Sequence, residues 1–252
     1  MTYHIYPPKQ ATDHWIFAFY GFGQEAEVYS PLIDRINERY GFVIIDLPYQ
    51  TFEKADTKTD LLTTLTHIIN ENEIKKLSGI SYSMGSRYNL ILAELIPNLI
   101  NKLILIAPDG IQINFWNQLA TSSIVGKPLF KYLMHHPTLY SRLLFFLYGI
   151  NILPRNIFLF SKMHTRDVMH SERVYNTWMN MKNMIPNLPK IKAAQEKYCI
   201  QIIAIYGKYD FVINQKSMKK LSKEIPKAEI KVIEKGHKLL DDELFDDIAR
   251  YL

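Results

Sequence analysis

Apolar and polar positions repeat along the chain with two periods. HWIFAFY (14–20) is a short apolar, aromatic run ending at glycine, which predicts a buried strand. PLIDRINERY follows with helical spacing, and Pro31 suits a first turn. FVIID (42–46) predicts a second strand. Thr59 and Asp60 can open a helix whose apolar face is Leu61, Leu62, Leu65, Ile68 and Ile69. A third strand ends at Ile80–Ser81, a helix runs from Ser86 to Ile96, and LILIA (103–107) predicts a fourth strand. After a long interval come IQIIAIY (200–206), a helix from about Ser217, a strand at KVI (231–233), and a final helix with Leu240, Leu244, Ile248 and Leu252 on one face. Short buried strands alternating with helices predict an α/β fold, a mostly parallel sheet with helices on both faces. Function in such sheets collects in the loops beyond the carboxyl ends of the strands.

The interval from Ile111 to Lys197 breaks this alternation. It has helical patterns and no clear strand. It carries 11 Lys or Arg against three Asp or Glu, an excess of eight positive charges in a chain of net charge +5. Six of the nine methionines fall there. The expected organisation is a core from residues 1–110 and 198–252, with residues 111–197 inserted after the fourth strand as a helical cap over the sheet's functional edge.

Composition removes several function classes. The 252 residues, 48% of them hydrophobic, can bury a large core. No apolar run reaches the roughly 18 residues of a membrane-spanning helix, and the N-terminus lacks the basic-then-apolar pattern of a secretory signal. The single cysteine, Cys199, allows no internal disulfide and suits a cytoplasmic location. Cys199 is expected in the core, because it opens an apolar run. The pI near 9.0 comes without a basic helix, zinc pattern or aromatic-basic sheet motif, so no nucleic-acid partner is expected. The pairs His135-His136 and His164/His170 lack metal-ligand spacing with carboxylates, so no metal and no other cofactor is expected. Asp241, Asp242, Asp246 and Asp247 are expected on a solvated helix face, and Asp46 as a loop anchor.

The candidate chemistry lies in the strand-end loops, where seven of the ten glycines gather. Ser81-Tyr82-Ser83-Met84-Gly85 lies between a strand and a helix, the context of a nucleophile elbow, G-x-S-x-G. Ser83 is the candidate nucleophile, and Ser81 and Gly85 are the small residues that a sharp turn requires. In this architecture the acid and the base follow in the order Asp, His. Asp210, in YGKYD after the fifth strand, is the candidate acid, and Asp109, in APDG, is the alternative acid. His237, after Gly236, is the candidate base. An oxyanion site needs two backbone N–H groups, expected from Met84 and from Phe22 in the Tyr20-Gly21-Phe22-Gly23 loop. Tyr20, Gly21 and Tyr82 are expected to contact substrate.

These features together resemble the α/β-hydrolase superfamily over nearly the whole chain. They are the YGFG loop, Asp46-Leu47-Pro48, the S-Y-S-M-G elbow, G-K-Y-D and the terminal G-H. Two positions depart from its pattern: Tyr20 stands where histidine is usual, and Ser81 where the elbow's first glycine is usual. The resemblance implies a serine hydrolase acting through a Ser-His-Asp triad and an acyl-enzyme on a small-molecule carboxylic ester or thioester. An apolar acyl group under the cap is expected, and the basic cap favours an anionic substrate or surface. The alternative is a hydrolase-like small-molecule binding protein that does not turn substrate over. No stable membrane insertion is expected, though Leu143–Tyr148 with nearby Arg and Lys suits peripheral contact.

Overall fold

The computed structural model describes residues 1–47, 55–112 and 115–252, with the side chains of 115 and 116 left aside. Pro48 of the Asp46-Leu47-Pro48 motif lies outside the described residues. Seven strands form one sheet: β1 (Tyr3–Tyr6), β2 (His14–Phe19), β3 (Gly41–Ile45), β4 (Lys76–Tyr82), β5 (Ile100–Ile106), β6 (Gln201–Gly207) and β7 (Glu229–Ile233). Their order is β1-β3-β2-β4-β5-β6-β7. All neighbours are parallel except β1 and β3. The apolar runs explain the centre of the sheet. Ile16 to Phe19, Phe42 to Ile45 and Leu103 to Ile106 are all but fully buried, as strands covered on both faces must be.

Eleven α-helices are described. They are α1 (Ser30–Ile36), α2 (Lys58–Glu71), α3 (Ser86–Leu95), α4 (Phe115–Ser122), α5 (Gly126–His135), α6 (Pro137–Gly149), α7 (Arg155–His164), α8 (Val168–Met181), α9 (Leu188–Tyr198), α10 (Gln215–Glu224) and α11 (Asp242–Tyr251). Helices cover both sides of the sheet. α1 packs on α11, and α3 packs on α2 and α9. The parallel register matches Phe19 to Ser81, Tyr82 to Ile106, and Gly207 to Ile233. The loops after β2, β4, β5, β6 and β7 therefore leave the sheet at one edge, the edge where parallel sheets carry their sites.

The chain divides into two compact units. One holds the sheet and comprises 1–47, 57–112 and 184–252; the other comprises 48–56 and 113–183. Residues 184–197 therefore go with the sheet, not with the insertion as expected, because α9 packs on α3. The second unit is α4 to α8, with α5 against α4, α6 and α8. Leu144, Leu153 and Phe158 form a core there, and Phe130 packs its ring on Tyr175 and Trp178.

One local expectation is corrected. Cys199 is exposed, not core. It caps α9 in the left-handed region at φ +56°, and burial begins only after this turn, at Ile200 ahead of β6. Asp241 is an N-cap that accepts from Leu244 N at 3.1 Å. Asp242 and Asp246 stay exposed, as expected of a solvated helix face, and also pair with Arg35 of α1 at 2.9 and 2.6 Å.

Candidate active site

The elbow begins where β4 runs out. Ser83 is forced to φ +49°, a left-handed conformation that a serine adopts only where the surroundings over-determine it. A short 3-10 turn, Ser83–Gly85, then leads into α3. Gly85 is needed for space: a methyl group there would run into the carbonyl oxygens of Phe19 and Tyr20. Ser81 stands at the other small position, and its hydroxyl is in use. It bonds the Ser86 hydroxyl at 3.0 Å and accepts from Asn89 Nδ2 at 3.0 Å. The departure from glycine thus comes with a buried polar cluster that satisfies it.

His237 lies in the loop after β7. Its Nε2 is 3.1 Å from Ser83 Oγ, and its Nδ1 is 2.7 Å from Asp210 Oδ2. The Asp210 side chain is 0% exposed. Its other oxygen accepts from the backbone N–H of Val212 and Ile213 at 2.7 and 2.9 Å. A carboxylate so placed can only accept, so His237 Nδ1 carries the proton and Nε2 is left to accept from the serine hydroxyl. Asp109 is placed differently. Its carboxylate pairs with Arg87 Nε at 2.8 Å, and its backbone N–H donates to the Ser83 carbonyl at 3.1 Å.

Tyr82 touches the histidine. Its hydroxyl donates to the His237 carbonyl at 2.8 Å, and the two rings lie 5.4 Å apart. Burial, with the nearby Asp210 charge, pushes the Tyr82 hydroxyl well above the usual phenol range, so it stays a donor. Tyr20 is likewise buried. Its hydroxyl donates to Asp46 Oδ1 at 2.9 Å and accepts from Leu47 N at 3.1 Å. Both tyrosine hydroxyls therefore act as structural tethers, and Asp46 anchors the loop through Tyr20. His4 Nε2 reaches the other Asp46 oxygen at 3.2 Å.

The loop after β2 carries Gly21 and Phe22. The backbone turn closes from Gln24 N to Gly21 O at 3.2 Å, and Gly21 N–H is taken by Gln24 Oε1 at 2.8 Å. A methyl group on Gly21 would stand 2.7 Å from the Tyr82 ring. Gln24 and the Tyr82–His237 bond escape sequence reasoning. Only a polar side chain three residues beyond Gly21 hints at the first, and nothing in the sequence hints at the second. Met84 follows Ser83 directly, at the start of the 3-10 turn.

No protein-family model matches the sequence, and no curated protein is detectably similar to it. Solved structures do match. MenH from S. aureus is 19% identical with a TM-score of 0.62, over 99% of this chain and 97% of that one. A thermophilic esterase from Thermogutta terrifontis is 13% identical with a TM-score of 0.66, over 99% and 90%. The enol-lactonase from Burkholderia xenovorans LB400 is 14% identical with a TM-score of 0.61, over 99% and 94%. The chain has the fold of the α/β-hydrolase superfamily.

Proposed function

We propose that the protein is a serine hydrolase that cleaves a carboxylic ester or thioester, with Ser83 as nucleophile, His237 as general base and Asp210 as the orienting acid. The observation that carries this reading is the continuous hydrogen-bonded path from Ser83 Oγ through His237 to the buried Asp210. The esterase and the enol-lactonase among the similar folds support it.

In this reading His237 Nε2 takes the Ser83 proton as Oγ attacks the acyl carbon. The carbonyl oxygen becomes an oxyanion, stabilised by the backbone N–H groups of Met84 and Phe22. Collapse breaks the bond to the leaving group, which receives the proton from His237, and the acyl group stays on Ser83. Water then attacks through the same base, releasing the acid and restoring the serine. The left-handed Ser83 backbone keeps Oγ presented throughout. An apolar acyl group is the expectation carried by the methionine-rich, cationic segment 111–197, which also favours an anionic leaving portion. Neutral and anionic esters of one acyl chain, compared at low salt, test that point. Higher kcat/KM for the anionic ester is expected, and equal values remove that part of the proposal.

A panel of acyl esters and acyl thioesters tests the whole reading. The wild-type protein should turn over at least one member, and Ser83→Ala should lower kcat by roughly 10³-fold or more. A folded wild-type protein that binds panel members without turnover supports the alternative, a hydrolase-like binding protein.

A further inference from the structure

The helical unit carries an exposed apolar surface. Among the described residues, fourteen of the twenty exposed large apolar side chains lie within 113–183, so exposure is concentrated in this one unit. α6 and the turn after it hold the densest part. Phe145 is 51% exposed, Phe146 63% and Ile152 53%. Arg142 lies one turn before Phe145 and Phe146 on the same exposed side of α6. The aromatic rim is held in place from below. Phe145 and Tyr148 pack on Phe158 of α7, with ring centroids 5.1 and 4.2 Å away.

Beside this rim α6 and α7 enclose a cavity of about 310 Å³. Arg142, Lys162 and Arg166 line it together with the hydroxyl residues Thr138 and Ser141, and no carboxylate does. Lys162 Nζ stands 5.6 Å from the Phe145 ring centroid, which joins the cavity to the aromatic rim. Arg166 also meets Asp167 at 3.7 Å and His170 at 2.7 Å at the outer edge. The sequence agrees: between Asp109 and Asp167 it has six Lys or Arg and not one Asp or Glu.

We propose that α6 and α7 form a docking surface for an anionic phospholipid bilayer, in which Phe145, Phe146 and Tyr148 enter the interface and Arg142, Lys162 and Arg166 receive a headgroup phosphodiester. Cations beside exposed aromatic rings are the composition of helices that lie in a membrane interface. A free soluble anion would fill the cavity and leave the rings in water. A symmetric second copy would bring Arg142 and Lys162 against the same cations, and Asp167 at the edge already pairs with Arg166. No described helix is long and apolar enough to cross a membrane, so the attachment is peripheral. The surface does not depend on the hydrolase reading, and its test does not use turnover.

Co-sedimentation with phosphatidylcholine vesicles, with and without phosphatidylglycerol, provides the test. The 252-residue protein should bind only the vesicles that contain phosphatidylglycerol. Arg142→Ala/Lys162→Ala should weaken binding roughly thirtyfold. Phe145→Ser/Phe146→Ser should weaken it at least about tenfold. Lys219→Ala/Lys223→Ala, which removes equal charge from α10, should change it less than about threefold if the cations of α6 and α7 act as a site. Circular dichroism and sedimentation velocity of each variant report fold and association. Absence of binding at low salt overturns the proposal. So does equal loss in both lysine and arginine pairs with no loss in the phenylalanine pair, which indicates attraction by net charge. Self-association abolished by Phe145→Ser/Phe146→Ser, with no vesicle binding, assigns the face to a second copy and also overturns it.

Discussion

Ser83 at φ +49° with Oγ 3.1 Å from His237 Nε2 is the residue on which the functional reading turns. Asp210 and Asp109 both follow strands at the same sheet edge, and their partners separate them. Asp210 faces His237, whereas Asp109 is tied to Arg87. Asp210→Asn should keep both backbone acceptor contacts yet lower kcat by roughly 10³- to 10⁴-fold, through the wrong imidazole tautomer. Asp109→Asn should stay within about tenfold of wild type in the same assay. The reverse ranking would move the acid to Asp109. The sequence makes Ser83, Asp210 and His237 legible, because each is a polar residue beside a strand-end glycine in a fixed order. It does not make Tyr82 legible as a tether, since a hydroxyl donating to a carbonyl 155 positions away is a product of the folded backbone. The bond from Tyr20 to Asp46 is hidden for the same reason, since it joins two loops 26 positions apart.

At the scale of elements, the elbow depends on contact between β2 and the turn before α3. Gly85→Ala should cost about 2 kcal/mol or more of stability and abolish turnover, because the added methyl meets backbone oxygens that cannot swing away. Urea unfolding with the activity assay checks both parts. Glu94 is a second junction. Its side chain is 5% exposed, it holds Lys58 of α2 at 2.6 Å, and it accepts from Asn187 N at the start of α9. Lys58→Met leaves that carboxylate short of its cation and should lower stability by about 1–3 kcal/mol, the smaller end reflecting the partly exposed lysine. The helix over 58–71 is legible from its apolar period, whereas its true start is a capping box between Thr57 and Asp60 that the period does not mark. β1, Tyr-His-Ile-Tyr, has strand-favouring residues but is too short to stand out as an apolar run. These four residues ahead of Pro7-Pro8 complete the sheet by pairing antiparallel with the edge of β3.

At the scale of the whole molecule, the parallel sheet and its functional edge are legible because buried strands are written as near-continuous apolar runs. The boundary of the helical unit is less so, since α9 has an amphipathic pattern that fits either unit and only its packing on α3 decides. Global stability should also respond to acid through His14. Burial, then the Lys76 charge, lowers its ring from 6.5 to about 4, and Nε2 sits 2.9 Å from Ser78 Oγ. The unfolded chain takes up this proton near 6.5 and the folded chain only near 4, so the contribution is full above 6.5 and is lost as pH falls from 6.5 to 4. His14→Gln should flatten the decline of the urea midpoint across that window, and an unchanged slope would remove His14 as its source. The most direct measurement of the central claim is fluorophosphonate labelling of the pure, folded protein, with the modified peptide mapped by mass spectrometry. A single adduct is expected on Ser83, lost in Ser83→Ala, nearly lost in His237→Ala and kept in Ser81→Ala. No adduct, or one on a different serine, would contradict it.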